Sequence, residues 1–176
     1  MMQVFLNDLV TRFEGLEDHL NSLDAATGDG DHGTTILKGL RAAAADDSSP
    51  DRAFRKAAGG ASGSLFAVVI AGLQKADAGT ELGTALTEAA DKIALLGQAK
   101  PGDKTMLDAL VPATMEKTPA DAANAAGAGR EATRAMAAKR GRAKYVEGAG
   151  VGHVDAGATS IAELLDAYAQ HRGRQA

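Results

Sequence analysis

Apolar residues recur at helical spacing along most of the chain, and this pattern constrains the fold more than any other feature. Near the N-terminus they stand at positions 5, 6, 9, 10, 13, 16, 20 and 23, which places them on one face of a helix. Ala supplies 39 of the 176 residues and is the best helix former. Since β-branched residues are sparse, the sequence argues against an all-β fold. We therefore predict an all-α protein.

Gly, Pro and polar segments divide the pattern into eight predicted helices and no strand. The first helix runs from near the start to about Leu23, and the others cover about 34–45, 51–58, 62–75, 81–96, 105–117, 119–138 and 158–170. Ser49, Thr80 and Thr118 are the expected N-caps of three of them, because their hydroxyl oxygens can accept from free backbone N–H groups. The length suits one domain covering residues 1–176.

Charge and composition exclude several classes of protein. The chain has 19 Lys and Arg against 23 Asp and Glu, whereas nucleic-acid binders usually carry a basic excess. It has no Cys, so disulfides, thiolate metal sites and Cys nucleophiles are excluded. The first residues lack the basic and apolar parts of a signal peptide, and no apolar run reaches the roughly 18 residues of a membrane span. We expect a cytoplasmic protein that contacts neither nucleic acid nor membrane.

An acidic, Gly-rich segment follows the first predicted helix. Asp24, Asp29 and Asp31 lie within eight residues, and Gly30 separates the last two. Gly lets the backbone bend so that carboxylates converge, and converging carboxylates need a cation; oxygen ligands favour Mg²⁺ or Ca²⁺. An EF-hand counted from Asp29 fails, because its twelfth position is Leu40 rather than a carboxylate. Either this is a Mg²⁺ site completed by a phosphate ligand, or it is a solvated acidic turn.

Two other segments are candidate phosphate sites. His32-Gly33-Thr34-Thr35 and Gly59-Gly60-Ala61-Ser62-Gly63-Ser64 each open a predicted helix, where free N–H groups and the helix dipole attract anions. The alternative for a Gly/Ser stretch is a flexible turn. The sequence has neither a Walker A motif nor a GxGxxG fingerprint, so a bound nucleotide would rest on helix ends.

A third loop, Arg140 to Gly157, is basic and then Gly-rich. An Arg can clamp phosphate oxygens, and the glycines suit a lid that closes over a ligand. The alternative is an exposed basic loop.

Four motifs in register resemble one known family. They are Asp24 with Gly28-Asp29-Gly30-Asp31-His32-Gly33, then Gly59-Gly60-Ala61-Ser62-Gly63, then Pro101-Gly102-Asp103-Lys104-Thr105-Met106-Leu107-Asp108, and finally Gly152-His153-Val154-Asp155-Ala156-Gly157-Ala158-Thr159-Ser160. Together they resemble the nucleotide-binding L subunit of dihydroxyacetone kinase, which is also the C-terminal domain of single-chain ATP-dependent dihydroxyacetone kinases. The resemblance covers nearly the whole chain.

The resemblance implies an eight-helix antiparallel bundle or barrel with ADP or ATP bound at one end. It implies that Asp24, Asp29 and Asp31 hold two Mg²⁺ ions that bridge the nucleotide phosphates. It also implies a set of nucleotide contacts, with Gly97 and Met106 beside the adenine and residues 142 and 155–157 on the lid side: His32, Gly33, Thr34, Thr35, Ala61, Ser62, Gly97, Met106, Arg142, Asp155, Ala156 and Gly157.

The resemblance further implies how such a subunit works. In members linked to the phosphotransferase system, ADP stays bound, an M subunit phosphorylates it, and the ATP formed passes its γ-phosphoryl group to dihydroxyacetone on a K subunit. This chain would then supply no catalytic residue of its own, only metal and nucleotide binding. Two alternatives remain open: a subunit of an ATP-dependent kinase for another small ketose or polyol, and a regulatory nucleotide-binding module that contacts a transcription regulator.

Overall fold

The computed structural model describes residues 2–175, and these residues form nine α-helices and no strand. The helices are α1 Met2–Glu14, α2 Glu17–Ala25, α3 His32–Ala44, α4 Pro50–Ala58, α5 Gly60–Asp77, α6 Leu82–Gly97, α7 Leu107–Thr114, α8 Pro119–Ala132 and α9 Ala156–Gly173. The prediction of an all-α fold is confirmed. No helix in the described range is long and apolar enough to cross a membrane.

The expected count of eight helices is wrong at the N-terminus. The first predicted helix breaks at Gly15 and Leu16 into α1 and α2, although its apolar residues keep helical spacing on both sides. Leu16 donates its N–H to the Phe13 carbonyl and accepts from Leu20, so the hydrogen bonding continues through the bend. Gly weakens a helix interior, and this Gly is the local cause that the sequence offers for the break.

One predicted helix end and two of the three predicted N-caps differ in the structure. The helix predicted to reach Ala138 ends at Ala132 and continues as a short 3₁₀ turn, Thr133–Ala135. The cap of α6 is Glu81 rather than Thr80, because the Glu81 carboxylate accepts from the N–H groups of Gly83 and Thr84. Thr118 caps α8 as predicted, accepting from the N–H of Asp121, whereas Ser49 makes no side-chain cap within the described residues.

The helices form a closed ring around one apolar core. α1 packs on α3, α3 on α4, and each later helix on the next; α9 then packs back on α1 and α2. Leu, Ile, Val, Phe and Ala fill the core, and Phe5, Phe13 and Phe54 are its largest fully buried side chains. Small residues allow the close helix contacts: a Cβ on Gly39 of α3 would lie 2.6 Å from the Phe54 ring of α4.

α1 and α2 run in the same direction, and from α2 onwards successive helices alternate in direction, so their connections gather at two ends. The segments 26–31, 59, 98–106 and 133–155 lie at one end, and the connections 45–49, 78–81 and 115–118 lie at the other, whereas the bend at 15–16 lies between the two ends. The four motifs of the sequence fall at the first end. The fold thus brings distant segments of the chain to one place.

Candidate functional site

A pocket of about 520 Å³ opens at the end where the motif segments meet. Its wall contains the C-terminal ends of α2, α4 and α6, the N-terminal ends of α3, α5 and α9, and part of the segment between α8 and α9. Helix N-termini carry partial positive charge and free N–H groups. The pocket therefore offers several anion-binding groups together with the acidic cluster described next.

The three acids of the sequence motif converge at this pocket. One carboxylate oxygen each from Asp24, Asp29 and Asp31 lies within 4.8 Å of the other two. Asp24 lies in the last turn of α2 and fixes the loop, because its Oδ2 accepts from the N–H of Gly30 at 2.9 Å and of Asp31 at 3.0 Å. Gly30 has a φ of +76°, which costs little only for Gly. Three hard oxygen donors at this spacing fit Mg²⁺ or Ca²⁺ rather than a softer metal.

An arginine of the α8–α9 segment (residues 133–155) reaches this acidic cluster. The Arg142 guanidinium donates to Asp29 and holds the pKa of that carboxyl below its usual range. The Arg142 side chain is 71% exposed, and exposed ion pairs contribute little to stability. Arg142 can therefore exchange Asp29 for another anion at small cost.

The N-terminus of α5 presents bare backbone to the pocket. Gly59 and Gly60 have φ values of +67° and +61°, and a Cβ on either would meet no atom of the described residues within 4 Å. No side chain in the described range caps this helix, so the N–H groups of its first residues have no intrahelical partner. Ala61 and Ser62 follow directly and also line the pocket. This end of α5 suits a phosphate group.

The first turn of α3 contacts both the pocket and the protein interior. His32 and Thr35 line the pocket, but the His32 ring is buried against Phe66 and its Nε2 lies 2.9 Å from Ser160 Oγ. Burial lowers the pKa of His32 to about 4, so the ring is neutral at pH 7. The His32 ring therefore stabilises the wall of the pocket and contributes no positive charge to it at pH 7.

The structure turns Gly33 and Thr34 towards α2. A Cβ on Gly33 would lie 2.3 Å from the Glu17 carbonyl oxygen, so Gly33 is required for helix packing. The Thr34 hydroxyl donates to Glu17 at 2.8 Å, and the Thr34 N–H donates to Asn21 Oδ1 at 3.1 Å. These two residues hold α2 and α3 together beside the site.

An apolar part of the wall lies between α5, α6 and the loop before α7. Gly97 and Met106, singled out from the sequence, line it together with Leu65, Phe66 and Ile93. Gly97 ends α6, and Gln98 follows in the left-handed conformation with a φ of +47°. Aliphatic side chains and one thioether, together with the Phe66 ring, form a surface suited to a flat aromatic group.

Asp155, Ala156 and Gly157 complete the wall at the start of α9. Asp155 is half-buried and caps the helix, accepting from the Ala158 N–H at 2.7 Å. Burial raises the pKa of Asp155 to about 6, although that hydrogen bond and the Lys104 ammonium act in the opposite direction. A Cβ on Gly157 would lie 3.1 Å from the Asp155 carboxylate and 3.5 Å from Met106. Glycine thus lets the start of α9 approach Met106.

Sequence reasoning missed the residues that support the site from behind. Asp108 accepts from the N–H groups of Gly102 and Thr105 at 2.6 and 2.8 Å, which fixes the loop before α7. Ser160 pairs with His32, and the buried Lys104 binds backbone carbonyls of the α8–α9 segment. Lys104 and Asp108 lie in the motif starting at Pro101, which marked them as part of the pattern without giving them a role.

The sequence pattern of one family, the DAK2 domain, matches residues 26–170 of this chain. The chain belongs to the DAK2 domain family. The matched range includes every segment that lines the pocket except the end of α2 at Asp24.

Two curated relatives illustrate where DAK2 domains occur. The ADP-binding subunit DhaL of a PEP-dependent dihydroxyacetone kinase from Listeria innocua is 32% identical, over 94% of this chain and 93% of its own length. The bovine triokinase/FMN cyclase is 35% identical over 94% of this chain but only 34% of its own length. The chain therefore spans about a third of that larger enzyme and nearly all of the Listeria subunit.

A solved structure agrees with this DAK2 fold. The dihydroxyacetone kinase from C. freundii in complex with AMP-PNP and Mg²⁺ superimposes with a TM-score of 0.74 at 28% identity, covering 97% of this chain and 33% of that kinase. The relative thus combines the same fold with a bound nucleotide analogue and Mg²⁺.

Proposed function

We propose that this chain is the Mg·ADP/ATP-binding subunit of a dihydroxyacetone-type kinase, one L-type unit that holds the phosphoryl donor for a substrate on a K subunit. The observation that carries the proposal is the acidic cluster of Asp24, Asp29 and Asp31, whose carboxylate oxygens lie within 4.8 Å of one another at the mouth of a nucleotide-sized pocket. The nucleotide complex of the C. freundii kinase supports it.

Each part of the wall has a matching part of a nucleotide. The three carboxylates would hold two Mg²⁺ ions, which neutralise the phosphate oxygens and orient the transferred group. The bare N-terminus of α5 and the Thr35 hydroxyl in the first turn of α3 would take phosphate oxygens. Leu65, Ile93 and Met106 would enclose the adenine, and Arg142 would move from Asp29 to a phosphate.

The chain's own residues bind and position rather than exchange protons. His32 is neutral at pH 7 and engaged with Ser160, and Asp155 is engaged as the cap of α9. Positioning and charge neutralisation are sufficient for phosphoryl transfer from a bound nucleotide. We accordingly assign the site no general base, and we place the ketone and the groups that bind it on the partner subunit.

We further propose that bound ADP is rephosphorylated in place by an M subunit of the phosphotransferase system. The match to the Listeria subunit over 93% of its length supports this arrangement. Direct use of ATP is the second candidate. The bovine triokinase/FMN cyclase supports it, because that protein carries this domain within a larger chain, of which the match covers 34%.

A reconstitution assay tests the proposed transfer. We expect the chain alone to form no dihydroxyacetone phosphate from ATP and dihydroxyacetone, and turnover to begin when a K subunit is added. Phosphorylation of bound ADP by an M subunit and phosphoenolpyruvate would decide the donor, with free ATP as the comparison. Turnover by the chain alone would contradict the division of labour between subunits.

A further inference from the structure

The α8–α9 segment is 23 residues long, yet its two ends lie side by side. The Arg134 carbonyl accepts from the Gly152 N–H at 2.8 Å, and the Ala149 carbonyl accepts from the Ala138 N–H at 2.8 Å. Within the loop the chain forms one short 3₁₀ turn, Arg142–Tyr145, and then bends at Gly148 and Ala149, which both have positive φ values. The segment is therefore a loop with a paired base and a projecting tip, and Arg142 lies on the tip.

One buried ammonium group joins both sides of that base. Lys104 Nζ donates to the carbonyl oxygens of Thr133 at 2.9 Å and Met136 at 3.1 Å, on the side that leaves α8. It also donates to those of Gly150 at 2.6 Å and His153 at 2.6 Å, on the side that enters α9. An ammonium has three protons, so four carbonyls at this distance share them.

The burial and the backbone conformation of Lys104 show why its carbonyl contacts matter. The residue is only 3% exposed. Burial lowers its pKa, and the negative charge of Asp155 acts in the opposite direction without a hydrogen bond to the ammonium. Its backbone has a φ of +60°, an unfavourable conformation for a residue with a side chain. A buried cation on a strained backbone is costly, and its four carbonyl contacts, together with the nearby Asp155 charge, compensate for that cost.

Lys104 also connects the loop to the pocket. Thr105 and Met106 follow it directly and line the wall. On the other side, a Cβ on Gly150 would lie 3.4 Å from Lys104 Cε and 2.7 Å from Thr27 of the acidic loop. The base of the α8–α9 segment is thus packed between the metal-binding loop and the apolar wall, with Lys104 at the junction.

Asp103 provides a second attachment for the same loop. Its carbonyl accepts from the Lys139 N–H at 3.1 Å, and its buried carboxylate lies 3.4 Å from the Arg140 guanidinium. Residues 141–148 lie beyond these contacts. The attachments therefore separate a fixed base from a short tip that carries Arg142.

We infer that Lys104 is a positioning residue that clamps both ends of the α8–α9 segment and so holds the Arg142 tip over the pocket. The clamp itself is a property of the fold and does not depend on a ligand. Its consequence, slow release of nucleotide from beneath the tip, rests on the proposed function. Lys104 lines the pocket, but its ammonium is engaged by the four carbonyls, so it acts through the loop.

Limited trypsin digestion without nucleotide tests the clamp. The tip and its flanks contain the cleavage sites Lys139, Arg140, Arg142 and Lys144, and Lys117 at the opposite end of the ring is an internal reference. In Lys104→Met we expect cleavage of the tip about tenfold faster or more, because hydrogen bonds from a charged group are lost, with cleavage after Lys117 unchanged. Lys100→Met, in the same loop but exposed, is the matched control and should match the wild type.

Defined outcomes, a folding check and a second variant decide whether the inference stands. Equal tip cleavage in Lys104→Met and wild type, or equal acceleration at Lys117, overturns the inference. Circular dichroism checks folding; where the Met variant does not fold, Lys104→Arg decides, since a planar guanidinium cannot meet four converging carbonyls and should also expose the tip.

In stopped flow, Lys104→Met should release a fluorescent ADP analogue faster with little change in its association rate. A wild type that binds no nucleotide contradicts the proposed function, while the digestion still decides the clamp.

Discussion

Replacing Asp31 by Asn is expected to weaken the binding of Mg·ADP by about 100-fold or more, measured by calorimetry. Loss of groups that only support metal ligands already costs about 10–100-fold, and here a ligand itself is changed. Asp31 is the most informative of the three acids, because Asp24 also holds the loop through two backbone N–H groups and Asp29 pairs with Arg142. Asn keeps the size of the side chain and removes its charge.

The stability of the same variant separates a binding role from a structural one. Three carboxylates within 4.8 Å of one another repel, so removing one charge should leave the melting temperature of the metal-free protein unchanged or slightly higher. Asp47→Asn, an exposed acid at the opposite end of the ring, is the control and should alter neither property. A large fall in the melting temperature of Asp31→Asn would mean that the acids serve the fold.

Two glycines of α8, two residues apart, are expected to respond differently to Ala. A Cβ on Gly129 would lie 2.1 Å from the Asp108 carbonyl oxygen and 3.0 Å from Ala109 Cα of α7. These are backbone atoms of a packed helix, so Gly129→Ala should lower the free energy of unfolding by about 3 kcal/mol or more. The melting temperature should fall by about 6 °C or more.

Gly127→Ala is the matched control on the same helix. A Cβ there would meet no atom of the described residues within 4 Å, and Ala is a better helix former than Gly by up to about 1 kcal/mol. Chemical denaturation should therefore show Gly127→Ala equal to or more stable than the wild type. Similar losses in both variants would contradict the close contact of α7 and α8.

The two glycines also show what the sequence could and could not predict. Periodicity and breakers gave the all-α class and most helix positions, because those signals are local. Nothing local distinguishes Gly127 from Gly129: only the packing of α7 against α8 does. For the same reason the sequence could not show that Gly33 and Thr34 face α2 while Thr35 lines the pocket.

The residues of the candidate site also differ in how far the sequence could predict their roles. Asp24, Asp29 and Asp31 could be grouped from spacing alone, since a short Gly-rich loop forces neighbouring carboxylates together. Lys104 could not be given a role, because its four carbonyl partners lie 29 to 49 residues away and backbone carbonyls leave no mark on a sequence. The break at Gly15 was missed for another reason: the apolar spacing continues through it and outweighed the signal of a single Gly.

Titration of the nucleotide-free wild-type protein with ADP, with Mg²⁺ and then with excess chelator, tests the central claim most directly. Mass spectrometry first confirms that no nucleotide is carried over. We predict saturable binding at one site with Mg²⁺, and loss of that binding when the metal is removed, because the carboxylate cluster alone repels phosphate. A folded protein that takes up no ADP with Mg²⁺, or that binds ADP equally well without it, would contradict the assignment of the three Asp and this pocket.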